Sequence, residues 1–364
     1  MVMGIFLLLH LYAGGVRKSI TSMRGWKFYW SFVILTAFTS LFFSNVDGLG
    51  KACLFGFVGI YIGFYKQNID SNTFKKITGL FIGLSITMAL VGLFQYITIC
   101  DRLNIAWYTF DIQEKPQDRV FSVYMNANLY ATICEYIILL CLYRYVKTKN
   151  IKSRIYYVFV ALLNLVMIYL TGCRTAFIPF VVVVPVFFWL YKKKDLFYLA
   201  LIGECTLLVL ILIFPDILPR MDNFSTFISR QKIWNGAFEM IKDNWLLGRG
   251  SSTYGLLYKI YNSHPAPHCH NIFIDLFCSY GVVGAGLLFG YIKKNIKQYL
   301  KSGLVIGSIL IAIIHGLLDC TLAYPMTFLL FMIFINSEEW SCEIEKEQKK
   351  NKIFSHFADD GYFT

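Results

Sequence analysis

The apolar positions of the chain fall into long hydrophobic runs separated by short polar segments. A helix crossing a bilayer core of about 30 Å needs roughly 20 apolar residues. On that criterion the runs predict about eleven spans (10–12), near 1–16, 28–46, 49–65, 77–100, 129–146, 155–171, 175–191, 196–214, 271–292, 303–319 and 321–336. The alternating segments that mark a membrane β-barrel do not occur. The pattern therefore predicts an all-α, polytopic integral membrane protein. Residues 1–336 form one transmembrane domain and 337–364 a charged cytoplasmic tail. The first run lacks the basic start and small-residue cleavage site of a secretory signal peptide.

Composition narrows the class. Hydrophobic residues make up 57% of the 364 positions and charged residues 15%, with a mean hydropathy of +0.56. Soluble domains carry about 45–50% and about 25%. This balance excludes a soluble enzyme, a disordered chain and a nucleic-acid-binding domain, and makes the lipid bilayer the first partner. The net charge of +12 reads mainly as orientation. With 17–27 placed in the cytoplasm, alternation puts 66–76, 144–154, 192–195, 293–301 and the tail there too, and these segments hold 23 of the 34 Lys and Arg. The N-terminus is then outside and the C-terminus cytoplasmic. The ten cysteines include no C-x-x-C, and most lie in apolar runs, where Cys acts as a small hydrophobe.

The outer connections are short, the turns 47–51 and 172–174 among them, except for two long loops, 101–128 and 215–270. In the larger loop, Ser229 is a candidate N-cap. Ile233, Trp234, Ala237, Phe238 and Ile241 then recur at helical spacing, and Gly248 and Gly250 end the helix. Such an amphipathic helix would lie on the bilayer or roof a cavity between spans. Close helix packing is signalled by Gly59-x-x-x-Gly63, Gly79-x-x-x-Gly83, Gly286-x-x-x-Gly290 and Gly303-x-x-x-Gly307.

The candidate chemistry gathers on the outer face. Arg174, in the tight turn Thr171-Gly172-Cys173-Arg174-Thr175-Ala176, either snorkels to headgroups or grips a phosphate with its planar fork. Arg230 falls in the first turn of the amphipathic helix, where a cation is mildly unfavourable unless an anion joins it. His264, His268, Cys269 and His270 suit either a metal site or a single histidine base. Pro265 and Pro267 break any helix that would pair the ligands, and no carboxylate is near in sequence, so the base is favoured and no metal is expected. Asn271 and Asp275, one helical turn apart, are placed to orient that base. Arg119, Asn126 and Asn128 precede the fifth span, as helix caps or as donors to sugar hydroxyls and phosphate oxygens. Glu135, Glu204, His315 and Asp319 lie within or at the edge of spans, where ionisable groups are functional candidates.

These residues carry a resemblance to the bacterial O-antigen ligases and oligosaccharide repeat-unit polymerases, over roughly residues 115–292. Thr-Gly-Cys-Arg174-Thr-Ala resembles the family's T-G-S-R-x-A turn, with Cys173 for Ser. Arg230-x-x-x-Trp234, continuing to Trp245-Leu-Leu-Gly248-Arg-Gly250, resembles its R-x-x-x-W helix and P-x-x-G-x-G close, with Trp245 and Leu246 where a Pro is common. His270-Asn271 with Leu276, Tyr280-Gly281 and Gly284 is similar to its H-N-x-x-L…G-x-x-G signature. Asn126-Ala-Asn128 is similar to its N-P-N.

The resemblance implies a GT-C-like architecture and a metal-independent, inverting glycosyl transfer, without cofactor, at the outer face of the cytoplasmic membrane. The donor would be an oligosaccharide on undecaprenyl diphosphate and the acceptor a glycan, with flippase and chain-length regulator proteins as partners. Arg174 and Arg230 would hold the diphosphate and His270 would act as base, with His268 as its rival. Arg119, Asn126, Asn128, Trp234 and Asn271 would bind substrate. A polymerase of O-antigen or capsule, a ligase acting on lipid A core or protein, and a transporter using Glu135, Glu204, His315 and Asp319 remain the readings to separate.

Overall fold

A computed structural model describes residues 15–110, 115–214 and 225–336; the first predicted span and the charged tail lie outside the described residues almost entirely. Among the described residues the chain is helical throughout, with no strand. In chain order the helices are α1 (Val16–Ser22), α2 (Trp26–Phe42), α3 (Val46–Asn68), α4 (Ser71–Leu103), α5 (Ala127–Lys147), α6 (Ile151–Leu170), α7 (Ile178–Leu190), α8 (Lys194–Ile213), α9 (Ser225–Asp243), α10 (Thr253–Leu257), α11 (Ile272–Tyr299), α12 (Gly303–Gly316) and α13 (Pro325–Ile335). Every span predicted from residue 28 onward coincides with one of them. Six helices (α3, α4, α5, α6, α8 and α11) are long and apolar enough to cross a membrane, which makes this a polytopic membrane protein.

Local sequence explains many of the boundaries. The side chains of Asn45, Asp70, Asn126, Asn150, Asn271 and Ser302 each accept a backbone N–H in the first turn of the helix that follows. Two expectations are corrected here. Ser229 is not an N-cap, because α9 already begins at Ser225, and that helix ends at Asp243, before Gly248. The last two predicted spans are shorter than expected, at 14 and 11 residues. At about 1.5 Å per residue the second covers only about half of a bilayer core. The chain leaves the helix after Gly316, passes through a 3₁₀ turn at Thr321–Ala323 and re-enters at Pro325, whose ring suits a first helical turn. That interruption brings Asp319 out of the helix.

α5 is the central pillar. Fifteen of its 21 residues are buried, against α4, α6, α12 and α13, whereas α8 has no buried residue and touches mainly α7. Side-chain links sort the connections into two ends. At one end Ser22 Oγ donates to the Gly63 carbonyl, Asn295 Nδ2 donates to the Arg24 carbonyl and Lys147 lies over the Tyr191 ring. At the other, Asn45 meets Arg249 and Ser251, Arg119 meets Thr171, Asn128 meets Asp319 and Asn271 meets Leu317. This grouping is the one that alternation of spans requires. The second group forms the site end of the bundle.

α11 is interrupted at Gly281, whose backbone (φ 61°, ψ −168°) leaves the helical region. The groups freed by the break are taken up by the glycine loop after α9: Val282 N donates to the Trp245 carbonyl (2.8 Å), Val283 N to that of Leu246 (3.1 Å), and Gly250 N to that of Ser279 (2.8 Å). Gly248 and Gly281 sit at positive φ, and a Cβ on either would fall within 2.5 Å of backbone on the opposing segment. The two glycine-bearing motifs therefore dock on one another, and Tyr280 Oη adds a 2.6 Å bond to Ser251 Oγ.

The four small-residue pairs divide. A Cβ at Gly59 would meet Tyr29, at Gly290 Phe28, at Gly303 Tyr191, at Gly307 Leu139, and at Gly63 the Ser19 carbonyl oxygen at 2.0 Å; Gly79, Gly83 and Gly286 face open space. Gly63→Ala is accordingly expected to cost about 1–3 kcal/mol through overpacking, read as a lower melting temperature of the detergent-solubilised protein. Gly79→Ala should leave that temperature unchanged or raise it. Equal melting of the two variants would contradict this packing.

Candidate active site

The site starts from a buried carboxylate. Asp319 is 2% exposed, in the non-helical stretch between α12 and α13. Its Oδ1 accepts the backbone N–H of Cys320 (2.7 Å), and its Oδ2 accepts from Asn128 Nδ2 (2.5 Å). Two histidines approach Oδ1, His268 through Nε2 at 3.5 Å and His270 through Nδ1 at 3.3 Å. Burial alone would raise the Asp319 pKa. The polar contact with His270, together with the charges of His268, His270 and His315, outweighs burial and holds the carboxyl well below the usual range.

The surroundings keep these groups in place. Asn271 caps α11 and donates Nδ2 to the Leu317 carbonyl (2.9 Å), tying the histidine loop to the Asp319 turn. Asp275 accepts from Cys269 N (3.1 Å), and Trp234 Nε1 donates to the Cys269 carbonyl (3.0 Å). Asn271, Asp275 and Trp234 thus hold the loop backbone around the histidines. His270 itself has φ +50°, a sparsely populated backbone region for a non-glycine residue. Its ring is 24% exposed, while its Nδ1 is buried with no hydrogen-bond partner among the described residues, off line for Asp319. The accessible side is therefore the one away from Asp319, where Nε2 sits.

His268, His270 and Asp319 bring their donor atoms within 4.8 Å of one another, a spacing that would also suit a metal ion. The ring of His268 argues against it. Its Nδ1 accepts the backbone N–H of His270 (3.2 Å), so the proton of the neutral ring is on Nε2. Nε2, 3.5 Å from Asp319 Oδ1, then carries a proton and offers no lone pair to a cation. Burial also lowers the His268 pKa, against the pull of Asp319, and the charges of His270 and Lys51 act in the same direction as burial.

The predicted site residues fall into distinct roles. Asn126 caps α5 (Oδ1 to Asn128 N 2.9 Å and Leu129 N 3.1 Å) and reaches Tyr324 Oη at 3.5 Å. Arg119 donates Nε to the Thr171 carbonyl (2.7 Å) and Nη2 to Asn128 Oδ1 (2.7 Å), so much of its fork is engaged by the protein. Through that bond it anchors the turn that carries Arg174, whose charge it senses. Arg230 lies in the second turn of α9, not the first, so the helix-end argument for it does not hold. It makes no hydrogen bond or ion pair among the described residues, and it is one turn before Trp234, on the face turned to Cys269. The buried face of α9 is Ile233, Ala237 and Met240; Phe238, expected there, is 49% exposed. This face packs on Tyr254, Cys269 and Cys278, so α9 covers the protein.

Sequence reasoning missed the partnership of Asp319 with the histidines, because their separation in the chain hides it. The one available signal was an acidic residue four positions after His315, at the end of an apolar run. The four intramembrane candidates do not form one path. His315 Nδ1 pairs with Glu135 Oε1 at 2.8 Å in the core, Asp319 belongs to the histidine site, and Glu204 lies on the peripheral α8.

The His268 geometry gives a pH prediction. With a pKa lowered from the ordinary 6.5, His268 stays neutral in the fold while the unfolded chain takes up a proton. Its contribution to stability is present above pH 6.5 and is lost as pH falls below it. His268→Gln is expected to flatten the fall in melting temperature between about pH 7 and about pH 5; an unchanged slope would contradict the assignment.

The comparisons place this geometry. No curated protein matches the chain. Residues 159–289, which carry Arg174, Arg230, Trp234, His268, His270 and Asn271, match the O-antigen ligase family. Over that stretch the chain is similar to the O-antigen ligase family.

Proposed function

We propose that the chain is a polysaccharide polymerase of the O-antigen or capsule type, with eleven spans, a GT-C-like arrangement and its site end at the outer face of the cytoplasmic membrane. The donor is an oligosaccharide on undecaprenyl diphosphate and the acceptor the next lipid-linked repeat. The observation that carries this reading is His270, with Nδ1 3.3 Å from the Asp319 carboxylate and its other side open, within the segment that matches the family. In this mechanism Nε2 of His270 takes the proton of the acceptor hydroxyl as its oxygen attacks the anomeric carbon. The bond from that carbon to the diphosphate oxygen breaks, and the configuration inverts. Arg174 and Arg230 face the charge that grows on the leaving diphosphate, where stabilisation raises the rate rather than merely tightening binding.

Polymerisation is favoured over transfer to lipid A core or protein because α9 and the segment after it fold back on the bundle. Among the described residues they form no separate docking domain. The ligase reading has its own support in the description of the matched family. Transport is disfavoured by the separation of Glu204 from the Glu135–His315 pair.

Deletion followed by gel analysis of surface glycan separates these readings. Collapse of a ladder to a single repeat is expected; a full ladder stranded on the lipid carrier would make the chain a ligase, and an unchanged ladder would overturn both. Arg174→Ala, Arg230→Ala and His270→Ala should each lower product about 100-fold or more, with the protein still present in the membrane.

A further inference from the structure

The turn between α2 and α3 was expected at 47–51, but α3 begins at Val46, so Lys51 lies within the helix, in its second turn. An ammonium there is inside an apolar helix long enough to cross a membrane, and such charges face a polar site or a partner. Lys51 is half-buried and makes no hydrogen bond or ion pair among the described residues. Asp47, one turn earlier, is exposed and does not pair with it.

Helix register shows what Lys51 faces. Four residues further along α3, Phe55 packs on Phe328 of α13, with ring centroids 5.1 Å apart. Residues four apart share a helix face. Lys51 is one turn nearer the site end on that face of α3, as Tyr324, the residue that precedes α13, is four residues before Phe328. Tyr324 packs edge-on against the His268 ring at 6.2 Å. Asp319 has Asn128 and Arg119 on its Oδ2 side and His268 on its Oδ1 side. Lys51 thus lies on the His268 side of the centre, whereas the turn that carries Arg174 is tied to its Arg119 side through the Thr171 carbonyl.

We infer that Lys51 forms a second anion site, across the His268–Asp319 centre from Arg174, and binds a phosphate oxygen of the lipid-linked acceptor. The inference rests on the polymerase reading and deepens it, since only a polymerase brings two diphosphate-bearing substrates to one centre. A ligase acceptor would need no such site.

The test uses the full chain in lipid nanodiscs. The His270→Ala protein, unable to turn over, is titrated with a long-chain polyprenyl diphosphate; two equivalents are expected, and one when Lys51→Met is added. In the active protein, Lys51→Met should raise the KM for a diphosphate-linked acceptor about tenfold. It should leave the KM for a free oligosaccharide acceptor unchanged, and Lys51→Arg should restore the first value. One equivalent bound by the parent, two retained by the Lys51→Met variant, or an equal loss with both acceptors would overturn the inference. The two readings fail separately. Glycan transfer with a single bound equivalent removes the anion site alone, and two equivalents falling to one without any transfer removes the polymerase reading alone.

Discussion

A carboxylate withdrawn from water is costly unless donors surround it, and the arrangement of the site end follows from meeting that demand at Asp319. Its donors are Asn128 at the start of α5 and Cys320 beside it, and the imidazoles of His268 and His270, before α11, lie 3.5 and 3.3 Å from its Oδ1. Each donor is fixed in turn, Asn128 by Arg119, the histidine loop by Trp234, Asp275 and Asn271. The unwinding between α12 and α13 belongs to the same solution, because in a continuous helix the Cys320 N–H would go to the carbonyl four residues back instead of to Asp319 Oδ1.

The glycine motifs do a different job. A helix broken in a membrane protein leaves backbone groups that need partners, and the loop 245–250 supplies them to the break at Gly281. This fixes α9, with Arg230, against α11, with His270 at its start. The two motifs are thus mechanically coupled, and Trp234 Nε1 supports the Cys269 carbonyl.

Much of the fold was legible because its determinants are local. Runs of apolar residues gave the helices from residue 28 onward, and Asn and Asp side chains marked many of their starts. Basic residues sorted the connections into the two groups later joined by side-chain links. What stayed hidden was long-range. Nothing local distinguishes α5, buried almost throughout, from α8, buried nowhere, since both read as apolar helices. Asp319 read as an isolated intramembrane acid because its histidines lie about 50 positions away. Lys51 read as a loop residue because the helix start was placed too late. Asn126 was legible as a helix cap, whereas Arg119 was legible as polar and outer-facing but not as a residue committed to the Thr171 carbonyl and Asn128.

The central claim is that ionised Asp319 makes His270 a base. It is tested most directly by the single-turnover rate of glycan transfer in Asp319→Asn, a change that keeps the shape and removes the charge. The account predicts a fall of about 100-fold or more, with binding of a polyprenyl diphosphate within about threefold of wild type, a difference of less than about 1 kcal/mol. A wild-type transfer rate in that variant would contradict it.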